Sequence, residues 1–247
     1  NAKFSLHLTK VRGDFAPLSM KLQIITSGYL ECNKGFITLG KDMGKIVKVP
    51  VFVFLIRHLE GNVLIDTGIS SRFKETWGKR LNYFIPILKH NIVEYLKEIK
   101  INYIINTHLH IDHCENNPFF KDSEIIVQRK EYEIACNPKP YQRLSYPDRV
   151  DKNLNYRLIN TNLDLFGDET IKIIKTPGHT EGHQSVLLNL TGKKIFIAGD
   201  SCYTSENLKN NILPGIIWNA DKVMECYEMI RNLKDTLVIF GHEEAKI

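Results

Sequence analysis

Short apolar runs closed by turn residues dominate the hydrophobic pattern, and their period switches between strand and helix. Residues 50–56, Pro-Val-Phe-Val-Phe-Leu-Ile, are apolar on both alternating faces and predict a strand buried on both sides. A turn at Glu60-Gly61-Asn62 leads into 63–66, so the two runs predict a hairpin inside a buried sheet. Upstream, 21–39 reads as a strand and then a loop around 32–35. Residues 91–99 carry Ile92, Val93, Leu96 and Ile99 as a helical stripe, followed by a buried strand at 103–106. A strand at 124–127 precedes a helix at 129–136, and 137–151, rich in Pro, Tyr and Arg, reads as loop. The alternating run 170–176 stops at Pro177-Gly178. A second hairpin joins 185–190 to 194–198 through Thr191-Gly192. A helix over 221–233, with Val223, Met224, Tyr227, Ile230 and Leu233 inward, precedes a last strand at 236–240. Only 70–91 has no period; Phe73, Trp77, Tyr83, Phe84, Ile85 and Ile87 there suit a binding loop or lid as well as packing beneath a loop.

The two hairpins echo each other, since 63–66 and 195–200 are both return strands ending in Asp, which hints at two similar halves. No composition shift divides the 247 residues, so one domain over 1–247 is expected. The net charge of +5 is dispersed, which disfavours a nucleic-acid surface. No apolar run approaches a membrane span, and the N-terminus, beginning Asn1-Ala2, lacks a signal-peptide core. The five cysteines, Cys32, Cys114, Cys136, Cys202 and Cys226, show no paired spacing, so reduced thiols and a cytoplasmic location are expected. Cys114 and Cys202 sit beside metal-type residues but belong to no CxxC pair, and packing roles are expected for both.

The chemistry concentrates in Thr107-His108-Leu109-His110-Ile111-Asp112-His113. His108 and His110 point the same way on an extended backbone, whereas Asp112 and His113 serve one ion only if the chain turns there. That spacing suggests one pair of ligands for each of two neighbouring divalent metals. His179, Asp200 and His242 likewise follow apolar runs, and loops at one edge of a sheet system converge. Together these make five imidazoles and two carboxylates. Two metals sharing one carboxylate would use all seven and leave positions open for water and substrate, which points to catalysis rather than a closed structural site. Asp66 is expected to accept a hydrogen bond from a ligand histidine, and His183 to support or pack rather than bind metal. His7, His58 and His90 stand alone and suggest no site. Asp66-Thr67-Gly68 matches an aspartic-protease signature, but one such motif lacks the second carboxylate and leaves the histidines unexplained. His179-Thr180-Glu181-Gly182-His183 is not a helical zinc-protease motif, because Glu181 is misplaced and Gly182 breaks the helix.

With Asp66-Thr67-Gly68, His108-x-His110-x-Asp112-His113, Thr176-Pro177-Gly178-His179-Thr180, Gly199-Asp200 and Gly241-His242 in this order, the chain resembles the metallo-β-lactamase superfamily. Within it, 125–129, 176–185 and 200–207 are most similar to the quorum-quenching N-acyl homoserine lactone lactonases. The resemblance implies an α+β fold, a four-layer αββα sandwich with two zinc ions between the sheets. It assigns His108, His110 and His179 to one zinc and Asp112, His113 and His242 to the other, with Asp200 bridging. It also implies hydroxide attack on a small-molecule lactone, with Tyr203 polarising the carbonyl and Asp112 or Asp200 carrying the proton. Ile111, Trp77 and Phe84 are candidates for an apolar channel. A homodimer is allowed by the resemblance, though no residue pattern shows one. Two departures bear on substrate range: Cys114-Glu115-Asn116-Asn117 replaces a small, Gly-rich stretch, and the chain stops soon after His242.

Several alternatives compete. A glyoxalase-II-like thioesterase uses the same ligands but takes an anionic substrate, and no Lys/Arg cluster is evident. Nucleases and phosphodiesterases want basic grooves; oxygen-reducing relatives carry Glu where this chain has His110; β-lactamases proper usually lack the bridging Asp. A non-catalytic metal-stabilised module would have closed coordination.

Overall fold

A computed structural model describes residues 5–10, 18–190 and 192–245, with side chains from residue 20 onward. Asn1-Ala2, Thr191 and the His7 side chain lie outside the described residues. The strands are β1 (Ser5–Lys10), β2 (Leu18–Asn33), β3 (Ile46–His58), β4 (Gly61–Ile65), β5 (Phe84–Leu88), β6 (Tyr103–Ile105), β7 (Glu124–Gln128), β8 (Tyr156–Ile159), β9 (Leu163–Asp164), β10 (Ile171–Lys175), β11 (Gln184–Leu190), β12 (Lys193–Ile197) and β13 (Thr236–Ile239). The helices are α1 (Phe73–Thr76), α2 (Ile92–Tyr95), α3 (Ile111–Cys114), α4 (Arg129–Cys136), α5 (Ser205–Asn210) and α6 (Ala220–Arg231). One sheet runs β1-β2-β3-β4-β6-β7-β8, with β5 also on β2; the other runs β13-β12-β11-β10-β9.

The double-faced apolar run on β3 explains the layering. Phe52, Phe54 and Ile56 point between the sheets, where they meet Ile171, Ile173, Val186, Leu188, Ile195 and Ile197. The alternate residues, Val53 and Leu55, face outward and pack with Ile92 and Leu96 around α2. On the far side, Phe196 and Ala198 pack against Val223, Tyr227 and Ile230 of α6. Asn219 caps α6 by accepting the Lys222 N–H at 3.0 Å. Helix, sheet, sheet and helix therefore stack as four layers, in agreement with the expected α+β sandwich. Each fully buried Ile or Leu in these layers contributes roughly 1.5–3 kcal/mol.

Strand direction places the chemistry. β4, β6 and β7 are mutually parallel, and β10, β12 and β13 share one direction, because β11 is antiparallel to both β10 and β12 while β12 is parallel to β13. The carboxyl ends of these strands carry Asp66, His108, His179, Asp200 and His242. The echo between the hairpins is also topological. β3-β4 is an antiparallel hairpin whose second strand gains a parallel neighbour, β6; β11-β12 is another, gaining β13.

Some expectations shift. The first hairpin turns at residues 59–60, since His58 pairs with Gly61, one position earlier than Glu60-Gly61-Asn62 suggested. The 91–99 stripe yields only the four-residue α2 before the chain turns. The aperiodic stretch 70–91 contains α1 and β5, the latter an added strand on β2.

Candidate metal centre

Asp66 sits at the end of β4 in the left-handed region (φ 56°), an unusual place for a non-glycine residue that turns its carboxylate back under the strand ends. Its Oδ1 accepts the Thr107 backbone N–H at 2.7 Å, and its Oδ2 accepts the Thr107 hydroxyl at 2.8 Å. The same Oδ2 lies 2.8 Å from His113 Nδ1, which donates to it, as expected of this Asp. Thr107 Oγ1 lies 3.1 Å from His108 Nδ1, so with its own proton given to Asp66 it accepts from His108. One carboxylate thereby orients two imidazoles.

His110 stands at the amino end of α3, and the chain does turn there, which brings Asp112 and His113 to the same side. Two groups result. His108, His110, His179 and Asp200 each offer an atom within 4.8 Å of the others, and so do Asp112, His113 and His242. All seven predicted residues are brought together, whereas Cys114 and Cys202 belong to neither group; their thiols donate to the Leu109 and Thr204 carbonyls. Asp200 faces both groups. Its Oδ2 is 3.2 Å from His179 Nε2 and 3.6 Å from His108 Nε2, while its Oδ1 is 3.4 Å from both His113 Nε2 and His242 Nε2.

The outer nitrogens are engaged. His179 Nδ1 donates to the Ile216 carbonyl at 2.8 Å and His242 Nδ1 to the Pro50 carbonyl at 2.9 Å, which turns bare Nε2 atoms inward. His108 Nε2, His113 Nε2 and Asp200 Oδ1 are buried without a hydrogen-bond partner. Lone pairs buried in this way, converging from nitrogen and carboxylate donors, fit the divalent metal that the fold implies. His183 stands behind them: its Nε2 accepts the Asp200 N–H at 3.0 Å and its Nδ1 pairs with Thr176 Oγ1 at 2.8 Å, the supporting position expected of it. Burial pushes His183 down to about 3.

Electrostatics separates the two groups. Burial, with neighbouring imidazoles, holds His108 and His110 well below the ordinary histidine value, and burial lowers His179. Burial also opposes charge on His113 and His242, but Asp112, Asp200 and Asp66 raise the first well above its usual value, and Asp200 and Asp112 raise the second. Burial disfavours an ionised Asp200, yet His113, His242 and His179 hold it well below the usual carboxylate range.

A cavity of 370 Å³ opens from this centre. His110, Asp112, His179, Asp200, Tyr203 and His242 line one end, and Leu30, Phe36, Val49, Trp77, Phe84 and Ile111 supply apolar wall, including all three channel candidates. Among the described residues, Arg80 is the only Lys or Arg in the lining. It is itself buried, donating to the carbonyls of Leu144, Trp77 and Tyr146 and to Asp148. Sequence reasoning missed Arg80, Glu115 and Glu131, which sit in no ligand motif. Glu115 accepts the Ser70 N–H at 2.8 Å and the Trp77 indole N–H at 3.0 Å, fixing the cavity wall to the end of α3.

The chain belongs to the metallo-beta-lactamase superfamily, whose model matches residues 46–242. Among curated relatives it is 29% identical to the N-acyl homoserine lactonase AttM of Rhizobium radiobacter, over 91% of this chain and 93% of the relative. It is 27% identical to the N-acyl homoserine lactonase AiiA of Bacillus thuringiensis subsp. kurstaki, over 90% and 93%. Its fold matches that of an N-acyl homoserine lactone hydrolase with the product N-hexanoyl-L-homoserine at its catalytic metal center, with a TM-score of 0.79 at 26% identity and 90% and 93% coverage.

Replacing Asp66 with Asn keeps the shape but turns an amide N–H toward Thr107 N or His113 Nδ1. Urea unfolding of the metal-free protein is expected to show a loss of about 1–3 kcal/mol. Unchanged stability would mean that Asp66 does not hold these loops.

Proposed function

We propose that the chain is one metallo-hydrolase domain that opens the ring of N-acyl homoserine lactones, with His108, His110 and His179 holding one zinc, Asp112, His113 and His242 a second, and Asp200 bridging. The cavity carries this reading: ligand atoms at one end, an apolar wall beside them and, among the described residues, a single Lys or Arg side chain already committed to carbonyls and Asp148. A neutral, acylated ring suits such a space, whereas the carboxylates of a glutathione thioester, remote from the reacting bond, would need side-chain cations to meet them. The two named lactonase relatives support the same substrate class. Imidazole and carboxylate donors suit zinc, which when bound would supply Lewis acidity and lower the pKa of water.

Ring opening adds water across the acyl C–O bond: its oxygen goes to the carbonyl carbon and a proton goes to the ring oxygen. Tyr203 would meet the carbonyl oxygen. It lines the cavity, stacks edge-on to His242 at 4.9 Å, and has its hydroxyl 3.5 Å from a His179 Nδ1 whose proton goes to Ile216. Burial, reinforced by Asp200 and Asp112, raises its pKa well above the usual phenol value, so it stays protonated and donates. Asp112 faces the cavity as a carboxylate, since His113 and His242 outweigh burial and lower its pKa, and it can take the proton that the attacking water gives up and pass it to the departing ring oxygen.

Side-by-side assay of the zinc-loaded protein on an N-acyl homoserine lactone, a glutathione thioester and a phosphodiester is expected to show turnover of the lactone well above the other two. Preference for either of the others would overturn the assignment. Tyr203→Phe should lower kcat/KM for the lactone on the order of 100-fold with zinc content unchanged; unaltered kinetics would remove the phenol from the reaction. Acidification should separate the ions. His113 and His242, with raised pKa values, take up protons first as pH falls, and a metal there must displace them; His108, His110 and His179, with lowered values, remain neutral longer. Cadmium NMR of the loaded protein is therefore expected to show loss of the Asp112–His113–His242 resonance before the other, and the reverse order would contradict this.

A further inference from the structure

Besides Asp66, a second buried carboxylate belongs to neither ligand group. Glu131, in the first turn of α4, is 0% exposed, and its four hydrogen bonds come from neutral donors. Oε1 accepts the Leu109 N–H and the Tyr146 hydroxyl, each at 3.0 Å. Oε2 accepts the Thr180 hydroxyl at 2.6 Å and the Gly182 N–H at 3.2 Å. Leu109 lies between His108 and His110, and Thr180 follows His179, so one side chain ties together the two loops that supply three ligands. The fit is tight, because a Cβ on Gly182 would stand 2.2 Å from Glu131 N.

His110 has the greatest need of such a tie. His113, His179 and His242 are aimed by an acceptor on the outer nitrogen. His110 instead turns Nδ1 inward, 2.9 Å from His179 Nε2, and its ring is set by an edge contact with Tyr146 at 4.8 Å and 78°. Tyr146 is in turn held by Glu131.

We infer that Glu131 is a positioning residue for the metal pair, setting His110 against His179 through Leu109, Tyr146, Thr180 and Gly182. The inference rests on the ligand assignment proposed above. Glu131→Gln preserves volume but offers one acceptor oxygen in place of two, leaving either the Leu109 or the Gly182 N–H facing an amide NH2 without an acceptor.

The test is cobalt(II) titration of the full chain against a competing chelator, following the visible spectrum, with melting of the metal-free protein alongside. E131Q is expected to weaken one of the two binding steps roughly 10- to 100-fold and to alter the spectrum of that ion, leaving the other step close to wild type. Y146F, which removes one of the four hydrogen bonds, should weaken the same step by less. Wild-type affinities and spectrum in E131Q, or in Y146F should E131Q not fold, would overturn the inference. So would equal weakening of both steps, which is what general loosening of the fold predicts. A wild-type protein that binds fewer than two cobalt ions would instead fail the ligand assignment.

Discussion

Asp200 is the group around which the rest of the site is arranged, because its two oxygens face two different sets of imidazoles across 3.2–3.6 Å. A carboxylate nine-tenths or more buried is expensive unless charge or hydrogen bonds compensate it. Here its Oδ1 has no hydrogen-bond partner, and neither do His108 Nε2 and His113 Nε2. Each such atom costs about 1–3 kcal/mol when left without a partner. The surrounding structure keeps these atoms from turning away to find one. His183 fixes the Asp200 backbone, Pro50 and Ile216 fix two rings from outside, and Asp66 fixes two more. Folding energy from the apolar layers thus maintains a lone-pair arrangement suited to a divalent cation.

The two halves share this labour unequally. In each, an antiparallel hairpin ends in Asp and is followed by a parallel strand ending in His: Asp66 and His108 in one, Asp200 and His242 in the other. Asp200 turns into the centre and faces four imidazoles. Asp66, at positive φ, turns beneath it and acts on the imidazoles from behind. Equivalent positions in the two sheets therefore hold a carboxylate that faces both sets of imidazoles and one that supports them from behind, and the strand ends supply the same scaffold to both.

Much of this was legible in the sequence wherever one residue type at one spacing had one physical use. The dense run from His108 to His113, the double-faced β3 and the helical stripe of α6 all have strong local signals, and the structure reproduces them. Strand ends could be read as ligand positions because a buried strand must stop where its apolar run stops. Glu131 and Arg80 were illegible, since a Glu in a polar-looking helical stretch and an Arg in an aperiodic one resemble ordinary surface residues until the tertiary fold buries them. α2 fell short of its stripe for a related reason: Leu96 and Ile99 face the same core, but the chain turns after Tyr95 to enter β6. β5 was hidden because its pairing with β2 is long-range, and its exposed face carries Ile85 and Ile87, which carry no strand-like polar alternation.

The departure after His113 acquires a physical meaning from its contacts. A small, Gly-rich stretch there would leave the end of α3 with few side chains able to reach other loops. Glu115 instead accepts from Ser70, Thr76 and Trp77; Asn116 donates to the Thr67 and Ile69 carbonyls at 2.8 and 3.2 Å; Asn117 accepts the Thr67 hydroxyl at 2.9 Å. The short helix that carries Asp112 and His113 therefore also holds the segment bearing Trp77, a principal part of the apolar wall. Arg80 completes the arrangement from the other side by linking that segment to Leu144, Tyr146 and Asp148. Burial raises the pKa of Glu115, and the bonds from Thr76, Ser70 and Trp77 pull the other way, as expected for a carboxylate whose donors replace water. The candidate metal ligands and the cavity wall are thus mechanically one unit, so substitutions at 115–117 act on the shape of the apolar end while remaining outside it.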